Sequence, residues 1–231
     1  MIATRVSRLV LLPVLGVLLA GCGGVTLTTD TGSGSGPTDE ITTDEITTDE
    51  ITTERGTDRH DGAVERVEIV ADAGDVRLRP GPAGSATVEH ETRWTGPRPE
   101  LTQELAGDVL RITARCPEPG ERCETRLTVT APAAAASNVD LGAGDVRVED
   151  LTGAHELRTA GGDVTGAGLA GPRVSATSTA GDVALGFAAP PAAVVAESTA
   201  GDVEVGVADD PGSDVTISAH STAGDVRVTH G

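Results

Sequence analysis

The sequence predicts an all-β chain whose main body is a β-solenoid, and three observations carry that expectation. The first is an internal repeat. Gly-Asp-Val recurs with aspartate at 75, 108, 145, 163, 182, 202 and 225, and the last five copies are 18, 19, 20 and 23 residues apart. The second is the pattern around each copy. Val183-x-Leu185, Val203-x-Val205-x-Val207, Val215-x-Ile217-x-Ala219 and Val226-x-Val228 alternate with period two, which gives a strand one buried face. The third is composition: with no tyrosine, one tryptophan (Trp94) and one phenylalanine (Phe187), the core must be thin layers of Val, Leu, Ile and Ala.

One repeat of about twenty residues cannot bury its own apolar face, whereas stacked repeats share a continuous core. Three copies extend to an identical hexamer, Ser178-Thr179-Ala180-Gly181-Asp182-Val183, residues 198–203 and residues 221–226. Residues 159–164, Thr-Ala-Gly-Gly-Asp-Val, are a variant of it. A β-sandwich would show turn signals at regular spacing without an identical turn sequence.

Taken in order, the chain opens with a targeting segment. Residues 1–8 carry Arg5 and Arg8 and no acid, and residues 9–20 are apolar. That run is shorter than the roughly 20 apolar residues a membrane-spanning helix needs. It closes on Leu19-Ala20-Gly21-Cys22, which resembles the lipobox of bacterial lipoproteins. The resemblance implies a signal peptide over 1–21, diacylation of the Cys22 thiol, cleavage before it, and usually acylation of the new amino terminus. Two or three acyl chains would hold the protein on the outer face of the bacterial cytoplasmic membrane. The alternative is an ordinary secretory signal with a chance cysteine.

Residues 22–62 read as a flexible linker. Gly, Ser and Thr dominate first, and then Asp-Glu-Ile-Thr-Thr occurs in tandem at 39–43, 44–48 and 49–53. A period of five matches neither helix nor strand. Ten acids against two arginines favour an extended, disordered stalk. Its threonines are also candidates for glycosylation.

Residues 63–231 form the predicted β-domain, with the stretch from 63 to 130 departing from clean repetition as a less regular, sandwich-like or capping portion. Within it, strand-like runs at 109–115 and 125–130 flank a turn-rich loop bounded by Cys116 and Cys123. Export implies an oxidising compartment, so a disulfide clipping this hairpin is the favoured reading. A metal pair is the rival, but two cysteines without a nearby histidine fall short of a zinc site.

The Ser-Thr-Ala-Gly-Asp-Val repeats, the Val76-Arg77-Leu78 strand and the Cys116–Cys123 hairpin resemble the bacterial family labelled "putative adhesin", over roughly residues 63–231. That family consists of β-helical, adhesin-like domains of unknown function. The resemblance implies a β-solenoid and supplies no catalytic residue.

The repeated aspartates raise a chemical question. If Asp145, Asp163, Asp182, Asp202 and Asp225 share one corner, they form a column of carboxylates that repel one another. Hydrogen bonds from turn amides would offset the repulsion and make the column structural, the favoured reading. The alternative is that the column binds Ca²⁺, a hard cation with oxygen ligands. The preceding glycines are expected to adopt positive φ. Thr179, Thr199 and Thr222 could stack as an internal hydroxyl ladder, the expectation preferred here, or face solvent as a ligand array. Trp94 reads as a plug at the end of the core or as an exposed glycan-stacking residue.

Other chemistry finds little footing. Gly166-Ala167-Gly168-Leu169-Ala170-Gly171 matches a dinucleotide-binding pattern, but Pro172 follows where a helix must open. The five histidines are scattered, and no Gly-x-Ser-x-Gly elbow occurs. The domain carries 26 acids and 13 arginines, which disfavours nucleic acid as a partner. The expected function is therefore a non-enzymatic surface lipoprotein that contacts envelope glycans or proteins or external molecules, with no resident cofactor. The alternative is an acidic module that senses or sequesters cationic peptides or divalent cations.

Overall fold

The structure is a computed structural model that describes residues 50–117, 122–208 and 210–230. Cys22, the signal peptide and the linker up to residue 49 lie outside the described residues. Seventeen strands and no helix occupy the described ones. Six pairs of strands follow one course, each pair joined by a Gly-Asp corner. They are β2 (Arg66–Ala73) with β3 (Val76–Gly81), β8 (Ala136–Ala143) with β9 (Val146–Glu149), and β10 (His155–Gly161) with β11 (Val164–Leu169). The other three are β12 (Arg173–Ala180) with β13 (Val183–Phe187), β14 (Ala193–Ala200) with β15 (Val203–Gly206), and β16 (Thr216–Ala223) with β17 (Val226–His230). A seventh pair, β6 (Val109–Arg115) and β7 (Cys123–Pro132), is joined by the cysteine loop in place of the corner.

The first strand of every pair lies in an eight-stranded sheet, ordered β14-β16-β12-β10-β8-β2-β6 and then β5 (Glu100–Ala106). The second strand lies in a nine-stranded sheet. Its order is β1 (Thr52–Asp61), β4 (Ser85–Trp94), then β7-β3-β9-β11-β13-β17-β15. Each pair is thus one rung of a solenoid, and neighbouring rungs run parallel. At one end β1, β4 and β5 pair antiparallel and close the stack.

The core sits between the two sheets, as the period-two pattern predicts. Val76, Val146, Val164, Val183 and Val226 align in successive rungs, each at most 1% exposed. Burying each valine contributes about 2 kcal/mol. Phe187 is fully buried, and Trp94 is 7% exposed at the closed end, in keeping with a plug.

Two expectations need correction. Residues 52–61, assigned above to the linker, form β1, which pairs with the whole length of β4. An edge strand needs only one supported face, so a polar, charged segment suffices. Arg55 bonds Glu91 at 2.7 Å across the pair, and Gly56 makes room for the His90 ring, whose Cε1 would lie 2.4 Å from an added Cβ. The second correction concerns the cysteines. The Cys116–Cys123 disulfide is formed, with 5.9 Å between Cα atoms, but it does not clip a hairpin. β6 and β7 belong to opposite sheets, so the bridge closes the bend between the two faces of one rung.

The rungs do not stack in chain order. β16–β17 insert between β12–β13 and β14–β15, and β2–β3 insert between β6–β7 and β8–β9. The last rung in space is therefore β14–β15.

Candidate functional site: the corner ladder and the two ends of the solenoid

At each corner the chain must leave one sheet and enter the other within two residues. Glycine makes this feasible. Gly144, Gly162, Gly181, Gly224 and Gly201 take φ of 126°, 138°, 146°, 147° and 153°. A Cβ on Gly181 would lie 2.1 Å from the Gly162 carbonyl oxygen, so the column of corners can close only without side chains at this position.

The aspartate after each glycine bonds along the column. The amide of Asp163 donates to Asp145 Oδ1 at 2.9 Å, that of Asp182 to Asp163 Oδ1 at 2.8 Å, and that of Asp225 to Asp182 Oδ1 at 2.8 Å. The amide of Asp202 donates to Asp225 Oδ1 at 2.8 Å. All five aspartates assigned to the column do share it. Asp75 belongs as well: its Oδ1 accepts from the Asp145 amide at 3.2 Å, and its Oδ2 from Arg126 at 3.2 Å. Asp108 carries the same tripeptide but sits in the turn between β5 and β6, where its carbonyl accepts the amides of Glu65 and Arg66. From Asp75 to Asp225, each column carboxylate commits one oxygen to a backbone donor, which favours the structural role over cation binding. Among the described residues no group of three or more His, Cys, Asp or Glu side chains is placed to hold a metal.

The hydroxyl ladder exists on a different residue from the one expected. Thr179, Thr199 and Thr222 are exposed. The residue before each threonine turns inward instead: Ser178 Oγ donates to Gly162 O, Ser221 Oγ to Gly181 O and Ser198 Oγ to Gly224 O, all at 2.8 Å. Thr159 fills the same place, donating to Gly144 O at 2.9 Å. Parity decides this. In each hexamer serine, not threonine, is in phase with the inward residues of its strand, and it closes the corner carbonyl of the neighbouring rung.

A buried polar pair also interrupts the aliphatic row across the eight-stranded sheet. In the row Leu110, Val67, Ser137, His155, Val174, Ile217, the two central places are polar. Ser137 Oγ and His155 Nδ1 lie 2.8 Å apart, and His155 is 2% exposed with Nε2 unpartnered. Burial pushes the His155 imidazole down to about 4, so it is neutral at ordinary pH. Neither residue carries a sequence signal beyond its in-phase position.

The two ends of the stack differ in chemistry. At the closed end a cleft of about 360 Å³ is lined by Glu54, His90, Thr92, Trp94, Arg98 and Leu101, with Arg98 bidentate on Glu54 at 2.7 Å. At the other end β14 and β15 are edge strands. Val203 and Val205, in register with the buried Val226 and Val228, are 45% and 47% exposed because no rung covers them among the described residues. Gly166–Gly171, the nucleotide-like pattern, lies in β11 and the bend after it, with no helix.

No curated protein matches the chain. Solved structures do. The crystal structure of a putative cell adhesion protein from Clostridium sporogenes aligns with TM-score 0.54 at 10% identity, over 77% of this chain and all of that one, which shows a shared fold. A putative adhesin from Bacteroides fragilis aligns with TM-score 0.36 at 13% identity, over 77% of this chain and 97% of that one. Residues 117–230, the stretch from β7 to β17, match the family described as Toastrack DUF4097, so this part of the chain carries that domain.

Proposed function

We propose that the protein is a non-enzymatic, lipid-anchored module displayed on the outer face of the cytoplasmic membrane, where its solenoid contacts envelope components or external molecules. The carrying observation is the corner ladder. The repeated aspartates, serines and glycines, the most conspicuous residues of the sequence, are spent on holding rung to rung, so the repeat builds a stiff support. Contact is then left to faces, edges and ends. The Cys22 lipobox supports anchoring. The Clostridium sporogenes protein of shared fold is described as a putative cell adhesion protein, which agrees with display outside the cell.

Two measurements test this reading. Metabolic labelling with an alkyne fatty acid should mark the wild-type chain and not Cys22→Ser, and protease added to intact cells should remove the solenoid. The full chain carrying Cys22→Ser should co-sediment with purified envelope fragments both in calcium and in chelator. Retention only in calcium would make the aspartate column a cation site. No retention in either buffer overturns the contact reading.

A further inference from the structure

We propose that the open end of the solenoid, formed by β14 and β15, is a docking edge for an extended cationic segment of a partner protein, which adds as one further rung. The inference deepens the contact-module reading and rests on it for the premise that the domain has a partner.

The edge is a template with known requirements, because every earlier rung meets them. In the rung before it, the Gly224 amide donates to Ala200 O at 2.9 Å and the Val226 amide donates to Asp202 O at 2.8 Å. The Gly224 carbonyl accepts Ser198 Oγ at 2.8 Å, and Asp225 Oδ1 accepts the Asp202 amide at 2.8 Å. In the last rung the same four groups are the Gly201 and Val203 amides, the Gly201 carbonyl and Asp202 Oδ1. No rung follows them among the described residues. Backbone donors and acceptors left along an edge of this kind pair with an incoming strand. Val203 and Val205, about half exposed, give that strand an apolar face to cover.

Charge selects the occupant. Residues 193–208 carry Glu197, Asp202 and Glu204 and no lysine or arginine; of these acids Glu204 is already paired with Arg227 of the rung before at 2.6 Å, which leaves Glu197 and Asp202 without an arginine partner. A second copy docked end to end would set acids against acids, and the whole chain already has a net charge of −19. The opposite end is built by β1, β4 and β5, which pair antiparallel, so it does not repeat the parallel rung that a head-to-tail stack would continue. An extended segment alternating apolar and basic side chains satisfies the hydrogen bonds, the valines and the acids together.

The test uses the full chain carrying Cys22→Ser and a fluorescent decapeptide of alternating valine and arginine, with a glutamate-for-arginine twin as control, read by anisotropy. The arginine peptide should bind saturably, and the twin about tenfold or more weaker. Val203→Lys with Val205→Lys should weaken binding about tenfold while leaving the thermal midpoint unchanged, since both side chains already meet solvent. Asp202→Asn with Glu204→Gln should weaken it severalfold. Equal binding of the two peptides, or binding untouched by the valine substitutions, overturns the proposal. A concentration-dependent dimer seen in sedimentation and abolished by the lysines also overturns it, by giving the edge to a second copy. No envelope material enters the assay. Peptide binding without envelope retention would therefore leave this edge standing while the contact reading fails.

Discussion

Acidification should destabilise this fold through His155 by an amount that can be isolated. The imidazole is 2% exposed in a row otherwise built of aliphatic side chains, and burial holds it at about 4, against 6.5 for the free side chain. Its folded value lies below its unfolded one, so protonation favours the unfolded chain. The stabilisation is complete above about pH 6.5 and is lost as the pH falls toward and through 4. Between pH 8 and pH 5 the linkage amounts to about 2 kcal/mol, a sizeable part of a typical domain's stability. Many carboxylates also titrate on the way down, so the comparison must be with a chain lacking only this group. Ser137→Ala with His155→Leu keeps the volume of the row and removes both polar atoms. Urea unfolding followed by Trp94 fluorescence should show the double variant losing about 2 kcal/mol less than wild type over that interval. Its stability at pH 8 should be within about 1.5 kcal/mol of wild type. If both proteins lose the same stability, or if NMR titration of His155 in the folded protein gives a midpoint near 6.5, the buried-neutral account of this pair is wrong.

Other outcomes follow from the corner geometry. Gly181→Ala should cost about 3 kcal/mol or prevent folding, because the added Cβ meets the Gly162 carbonyl oxygen at 2.1 Å; thermal unfolding reads this directly. Ser221→Ala leaves the Gly181 carbonyl without its hydroxyl donor and should cost about 1–2 kcal/mol, while Thr222→Ala beside it should stay within about 0.5 kcal/mol. Asp182→Asn keeps an Oδ1 acceptor for the Asp225 amide and should be tolerated better than Asp182→Ala by chemical denaturation, whether or not calcium is present. Reducing the Cys116–Cys123 bond reopens a loop with a sequence separation of 7, worth about 2–3 kcal/mol, and should lower the midpoint without altering the strand content seen by circular dichroism.

The rung was legible because its signals are local. A strand's buried face announces itself by period two, and the tight corner by glycine, so Val203-x-Val205 and Gly201-Asp202 could be placed without knowing their neighbours. Which hydroxyl turned inward was harder. Ser178 and Thr179 both suit a ladder, and a shift of one residue along the strand exchanges the two faces. Extending the in-phase count from Val174 and Ala176 would have chosen Ser178. β1 was missed for a different reason: high charge was read as solvation, but at the end of a stack the inward places need not be apolar. Glu54, Gly56 and His60 alternate inward without one aliphatic side chain among them. The Ser137–His155 pair was illegible for the converse reason, since a polar residue in an inward phase looks like a break in the strand.

The order of the rungs was the least legible feature, and the same repetition explains why. Identical corners offer identical bonds, so nothing in Ser-Thr-Ala-Gly-Asp-Val says whether the rung containing Asp225 follows that of Asp182 or that of Asp202. The connections carry the decision instead. Neighbouring rungs are about 4.8 Å apart, so skipping one needs a step of about 10 Å. Residues 188–192 include Pro190 and Pro191, and at about 3 Å per residue such a segment spans that step readily. Before β16 the chain comes back by one rung, past the turn in which the Ser213 amide donates to Asp210 O at 2.9 Å. The final hexamer of the sequence closes the rung of Asp182, and the penultimate one is left on the outside. Had the chain stacked in sequence order, the rung of Asp225, with Arg227 on β17, would stand at the open end. With the order inverted, Arg227 is drawn back one rung, where it bonds Glu204 at 2.6 Å, and the terminal rung keeps only acids. The skipped step in the chain is therefore what gives the open end its charge, and with it the preference for a basic partner.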